Sequence, residues 1–128
     1  MSKRIDPGLT RTAVLAVEDW VRDPDSVEKP ARPLLADAVR RSARLMEHDA
    51  PGHSVEVRVP PFVAVQVIDG PRHTRGTPPN IVETDPLTWL QLVTGTISFD
   101  EAVSQYRLEA SGTRAGEIAR MLPLIPLG

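Results

Sequence analysis

The sequence has 128 residues, no cysteine and a formal net charge of −2. The absence of cysteine excludes disulfides, thiolate metal sites and cysteine nucleophiles. Acidic and basic residues are interleaved along the chain, so the basic face that nucleic-acid binding needs is not predicted. A chain of this length suits one domain, residues 1–128. Its start leads into Ile5-Asp-Pro-Gly rather than an apolar run, so we expect a cytoplasmic location without stable membrane insertion.

Two leading helices are predicted at about residues 9–48. Asp6-Pro7-Gly8 opens the first helix, whose apolar residues between Thr10 and Arg22 fall on one stripe. The second helix is predicted from about Pro33 to Glu47, because its apolar residues recur at intervals of three and four residues. Its solvent side carries Arg40, Arg41 and Arg44.

The spacing of apolar residues then changes from a helical period to alternation, which predicts a sheet and C-terminal helices at about residues 53–122. Valines alternate with polar residues over 54–59, as in a half-buried strand. Residues 62–68 are apolar on both faces apart from Gln66, which predicts a strand covered on both sides or one that lines a cavity. These two strands lie too close for a helical crossover, so we expect antiparallel neighbours. Further strands are predicted at 81–84 and 106–110.

Capping signals mark the later helices. Asp85-Pro86 places a capping carboxylate before a proline in the first turn, and Gly95 ends that helix. Ser98 with Glu101 three residues later forms a capping box, and a last helix is predicted from about Thr113 to Leu122. The fold class is therefore α+β, with a mainly antiparallel sheet of four to five strands and helices packed over one face.

No catalytic constellation or cofactor site is predicted. The three histidines have no His-x-x-x-His or Glu-x-x-His partner on a helix, so we expect no metal site. Gly52-His53-Ser54 lacks the second glycine of a nucleophile elbow, and no lysine follows Gly112 and Gly116 as in a phosphate-binding loop. The sequence therefore favours a protein that binds over one that catalyses.

The segment from Gly70 to Asn80 is the most unusual stretch of the chain. Its prolines stiffen it, and it carries several donors within a few positions. In one interpretation, Arg72, His73 and Arg75 grip a carboxylate or phosphate at the polar mouth of an apolar site. In the other, the segment is a connector whose arginines pair with the protein's own acids.

Apolar ligand contacts are predicted on the second strand and on two helices. They are Phe62, Val63, Val65, Val67, Trp89, Ile118 and Leu122. A filled core and a hollow one require the same residue types. The sequence leaves open which of the two these residues build.

Several segments combine in a familiar order: Asn80–Gly95 with its acidic-proline helix start, then Ser98–Val103, then Leu108–Gly112. In this order they resemble the sterol carrier protein family, the non-specific lipid-transfer kind, and segments 60–66 and 70–79 are similar to a bacterial branch of it. The resemblance covers about residues 50–122. It implies a five-stranded sheet with helices over one face and an apolar tunnel for acyl chains or sterols, with no catalytic set. One departure is Gln105-Tyr106, where family members usually carry glycine before the last strand.

Three hypotheses of function follow. The leading one is a small carrier for an apolar or amphipathic, acyl-like ligand. The alternative is an interaction or accessory module with a solid core, which serves a partner protein or a separately encoded enzyme. The third is an enzyme that acts on a thiol or acyl conjugate.

Overall fold

The computed structural model describes residues 5–70 and 80–127. Its α-helices are α1 (Pro7–Leu15), α2 (Glu18–Arg22), α3 (Arg32–Asp49), α4 (Pro86–Thr94) and α5 (Phe99–Ser104), and a 3₁₀ helix spans Ala115–Met121. Its strands are β1 (Pro51–Val59), β2 (Val63–Val67), β3 (Ile81–Thr84) and β4 (Leu108–Ser111). Within these ranges, no helix has the length and apolar character needed to cross a membrane.

The strands form one sheet in the order β2-β1-β3-β4. The pairs β1–β2 and β3–β4 are antiparallel, as in the register of Val57 with Val65, whereas β1 and β3 run parallel. The predicted α+β class and mainly antiparallel sheet are confirmed. Four strands lie within the described ranges, where the family resemblance implied five.

Helices cover one face of this sheet, while the residues that the structure describes on the other face are mostly half-buried. The valines of the covered face are fully or almost fully buried: Val55, Val57, Val59, Val65, Val67 and Val82. Helix α3 packs against β1, β2 and α4, which places the hydrophobic core between α3 and the sheet. Of the two alternatives predicted for the second strand, coverage on both sides is wrong, because Ala64 on the opposite face of β2 is exposed.

Short-range signals set the helix ends where the sequence predicts them. The Asp85 carboxylate accepts a hydrogen bond from the Thr88 amide at 2.8 Å, and α4 ends at Gly95 in the left-handed conformation. At the start of α5, Ser98 and Glu101 form the predicted capping box, with both bonds 3.1 Å long.

The first predicted helix is wrong in its continuity, since the chain breaks between Leu15 and Glu18 into α1 and α2. Val17 has φ −116° and ψ 8°, outside the helical range. The break redirects the chain, and Val17, Trp20 and Val21 are all buried in the core. Burial of three large side chains outweighs the continuation of one helix.

The last predicted helix is a 3₁₀ helix rather than an α-helix. Its buried residues, Ala115 and Ile118, are three positions apart, which matches three residues per turn. The fourth strand starts at Leu108 rather than Tyr106, because Tyr106 has φ 58° and no strand continues through that conformation. Tyr106 thus adopts the backbone conformation that favours glycine, at the turn where the family usually has one.

Candidate ligand-binding site

An apolar strip, residues Phe62–Ala64, lies at the start of β2. Strand β2 is at the edge of the sheet, where its only hydrogen-bonded neighbour among the described strands is β1. Phe62 and Val63 are half-buried and Ala64 is exposed, unlike the fully packed Val65 and Val67 that follow. The strip therefore packs against the core with part of its apolar surface and leaves the rest exposed.

The strip forms one wall of a groove of about 560 Å³. The opposite walls come from the start of the chain, with Ile5 and Thr10, and from the solvent side of α3, with Asp37 and its neighbouring arginines. A second surface depression of about 390 Å³ continues past the same strip toward Pro60 and Arg58. An apolar surface beside charged groups suits an amphipathic molecule.

The arginines of α3 reach the groove because the helix buries its other side. Leu35, Val39 and Met46 are packed into the core, so that Arg40, Arg41 and Arg44 remain on the side facing the groove. The sequence places these arginines on the solvent side, but it gives no sign that the apolar strip lies beside them.

Two arginines of α3 lie over the Phe62 ring. The guanidinium carbon of Arg32 is 5.1 Å from the ring centroid, and that of Arg40 is 5.8 Å away. Both distances fall within the range of cation–π attraction. Arg40 is also held at the strip by a hydrogen bond of 3.2 Å from its Nε to the Phe62 carbonyl oxygen.

The other two arginines of the groove already have carboxylate partners. Arg41 Nε is 2.8 Å from Asp37 Oδ1, and Arg44 Nη1 is 3.2 Å from Glu47 Oε1. Arg32 and Arg40 form no ion pair with any carboxylate in residues 5–70 and 80–127. Arg40, Arg41 and Arg44 line the groove together with the carboxylates of Asp6 and Asp37, and Arg32 lies beside it over the Phe62 ring. Of these arginines, Arg32 and Arg40 have no carboxylate partner within that part of the chain.

The predicted ligand contacts do not come together in one place. Phe62 and Val63 line the groove beside α3, and Leu122 lines a separate groove of about 330 Å³ near Phe99. The remaining predicted contacts belong to the hydrophobic core: Val65, Val67, Trp89 and Ile118.

Trp89 is completely buried and its polar atom is satisfied inside the core. Its indole Nε1 donates to Ser42 Oγ at 2.8 Å, and the Ser42 hydroxyl lies 2.7 Å from the Ala38 carbonyl oxygen. In the part of the chain that the structure describes, no buried side-chain nitrogen or oxygen lacks a hydrogen-bond partner. The core thus offers no unsatisfied polar group to a ligand.

The predicted polar mouth, Arg72, His73 and Arg75, lies outside the described residues. The described ends of that segment are joined by Arg114, a residue to which no role is assigned from the sequence. Its backbone amide donates to Asn80 Oδ1 at 2.9 Å, and its guanidinium donates to Ser54 Oγ at 3.0 Å and to the Asp69 carbonyl oxygen at 3.1 Å.

Arg114 is also paired with Glu117, whose carboxylate accepts bonds of 2.7 and 3.1 Å from it. This hydrogen bonding lowers the pKa of the Glu117 carboxyl from its usual value and raises the pKa of the Arg114 guanidinium. A methyl group added at Gly70 would lie 1.8 Å from Arg114 Nη1. The guanidinium is therefore committed to fixing the chain around Gly70 and Asn80.

The groove contains acids and arginines but no grouping suited to a metal. Nowhere in residues 5–70 and 80–127 do three or more His, Asp or Glu side chains come close enough to hold an ion. His53 Nδ1 lies 2.6 Å from Gln66 Oε1 on the exposed side of the sheet. The chemistry available at the groove is the binding of apolar and anionic groups.

A family model described as bacterial SCP ortholog, where SCP stands for sterol carrier protein, matches residues 31–124. The chain belongs to the bacterial sterol carrier protein-like family. The predicted resemblance is confirmed, and the match extends past its expected start at about residue 50 to include α3. A search of the curated proteins finds no match. Both walls that carry the arginines and the apolar strip lie within the matched range of this family member.

Proposed function

We propose that this sterol carrier protein-like chain binds and carries an amphipathic, acyl-like ligand in the groove between α3 and β2. Membership of the family supports a lipid-carrier role. The observation that carries the proposal is the apolar strip Phe62–Ala64, which packs against the edge of the core and stays partly exposed beside Arg40, Arg41 and Arg44. The groove volume of about 560 Å³ falls in the range of small-molecule sites, roughly 300–1,000 Å³.

The strength of binding follows from the apolar area available. Complete burial of a fourteen-carbon chain would gain on the order of 11 kcal/mol, at about 0.8 kcal/mol per methylene. Association costs about 4–15 kcal/mol. A groove that is open to solvent buries only part of the chain, so micromolar rather than nanomolar affinity is expected.

The proposal assigns different roles to the predicted contacts. Phe62 and Val63 touch the ligand, while Val65, Val67 and Trp89 form the packed layer that keeps the wall of the groove rigid. Ile118 belongs to the same core, and Leu122 lies at the groove near Phe99. The set Arg72, His73 and Arg75 stays a prediction for a further polar contact.

Native mass spectrometry of freshly purified protein tests the proposal. We expect a fraction of the protein to carry an additional mass of one lipid or acyl chain, and the same protein stripped of it to gain thermal stability from acyl-chain compounds. A bare mass together with no thermal shift across a library of acyl chains would contradict a carrier function.

A second candidate function is an accessory module that serves a partner protein. It is favoured by the edge position of β2, which leaves one side of that strand without a hydrogen-bonded neighbour among the described residues. A bare mass and no thermal shift would favour this module over the carrier.

A further inference from the structure

We infer that the groove selects ligands whose head group is a carboxylate or phosphate, and that Arg32 and Arg40 bind this anion beside the Phe62 ring. The inference rests on the proposed carrier function and names the chemistry of its ligand. It moves the polar end of the site from the segment after β2, where the sequence predicts it, to the start and middle of α3.

Two arginines of α3 are paired with carboxylates of the described residues and two are not. Arg41 and Arg44 are matched by Asp37 and Glu47, so they add little net field at the groove. Arg32 and Arg40 are brought over one aromatic ring, at 5.1 and 5.8 Å, without a carboxylate from residues 5–70 or 80–127. Two like charges held at one ring repel each other, and an anion beside them removes that repulsion.

The guanidinium of Arg40 is held in position before any ligand binds. The Nε–H of Arg40 is engaged by the Phe62 carbonyl oxygen, which fixes the guanidinium relative to the strip. Its terminal nitrogens make no hydrogen bond within the described residues, and neither does the Arg32 guanidinium. A guanidinium that is held in place and still has N–H donors for a ligand matches the planar, two-oxygen geometry of carboxylate and phosphate.

The two guanidiniums lie directly beside the apolar strip. Phe62 is both the ring under the two guanidiniums and the first residue of the apolar strip. A head group beside the ring therefore lets the attached chain follow Val63 and Ala64 along the groove. This arrangement favours one chain with one anionic end over a wholly apolar molecule such as a hydrocarbon.

The test compares Arg32→Gln/Arg40→Gln with the wild-type protein, using tetradecanoate, methyl tetradecanoate and tetradecyl phosphate as probes. The wild-type protein is expected to bind the two anions about tenfold or more tighter than the uncharged ester, since hydrogen bonds to charged groups are among the strong ones. In the double variant this preference falls to near one, while the affinity for the ester is unchanged. The wild-type preference also weakens as salt is raised, because both arginines are exposed.

A matched control is Arg22→Gln/Arg120→Gln, which removes two positive charges from residues that do not line the groove. This control is expected to keep the wild-type preference for anions. A loss of preference in the control equal to that in the Arg32/Arg40 variant would mean that net charge, not this pair, attracts the anion. Arg32→Gln alone serves if the double variant unfolds, since Arg32 donates no hydrogen bond to the described residues.

The outcomes separate this inference from the proposed function. If the wild-type protein binds acid and ester equally, or if the double variant keeps the preference, the anion site is wrong and the carrier function stands. If it binds none of the three soluble probes, the carrier function itself fails. Vesicles of phosphatidylglycerol form the last arm, and binding to vesicles without binding to soluble tetradecyl phosphate would overturn the site in favour of a membrane-docking surface.

Discussion

The surroundings of Trp89 and of Phe62 differ although both residues are large and aromatic. Trp89 is completely buried, and its indole nitrogen has a hydroxyl partner in the core. Phe62 is half-buried at the edge of the sheet, with two guanidiniums over its ring and a groove beside it. The first aromatic residue is part of the core, and the second keeps part of its surface exposed at the groove.

This difference is the reason for proposing that an apolar ligand binds at the strip and not in the core. The described core around Trp89 consists of residues that are buried together, and every buried side-chain polar atom in it is paired, so a polar group of a ligand would find no free partner there. At the strip Phe62–Ala64, a ligand covers apolar surface that is already exposed and displaces only water. Stability is therefore expected to come from the core, and ligand binding is proposed at the margin between α3 and β2.

Truncation of the two aromatic residues is expected to show this difference most strongly. Trp89→Ala should lower the free energy of unfolding by about 3–5 kcal/mol, because it leaves a cavity and removes the partner of Ser42. Phe62→Ala should cost only about 1 kcal/mol, since the ring is half-exposed, but it should abolish most acyl-chain binding. Urea denaturation and a ligand titration on the same samples measure both effects.

Equal effects of the two truncations would contradict the division of roles. A Trp89→Ala variant with wild-type stability would indicate that the core is loose enough to accept a ligand. Val103→Ala is a suitable control, since Val103 is exposed and lies in neither the core cluster nor the groove. It should change neither stability nor binding.

Loss of the helix caps should lower stability by less than loss of Trp89 and should leave ligand binding unchanged. Asp85→Ala and Ser98→Ala should each lower stability by about 0.5–2 kcal/mol, with the larger loss at Asp85, which holds both the amide and the hydroxyl of buried Thr88. Asp85 starts the helix that carries Trp89, so ligand affinity should not change. A weakened ligand affinity in a folded Asp85→Ala variant would mean that the core and the groove are coupled.

Much of the fold could be predicted because its signals are local. The caps at Asp85 and Ser98, the stop at Gly95 and the hairpin of β1 and β2 depend on residues close in sequence. The predictions failed where tertiary packing overrides local pattern: the break at Val17 serves burial of the residues after it. The parallel pairing of β1 with β3 joins residues about 25 apart and left no local signal.

The candidate site was less accessible to sequence reasoning. Phe62 and Val63 were predicted as ligand contacts, and they do line a groove. The role of Arg32 and Arg40 depends on how α3 lies against the start of β2, over 20 residues later, and residue types do not record that placement. Whether Trp89 and Ile118 fill a core or line a cavity could not be predicted either, since core and cavity favour the same side chains.

Chemical-shift mapping of the ¹⁵N-labelled protein with tetradecanoate tests the central claim most directly. We predict that the largest shifts occur at the amides of Val63 and Ala64 and at the side-chain Nε–H of Arg40, while the indole N–H of Trp89 keeps its position. Shifts concentrated at the Trp89 indole and the buried amides of Val65 and Val67, with the strip unchanged, would place the ligand inside the core and contradict the account.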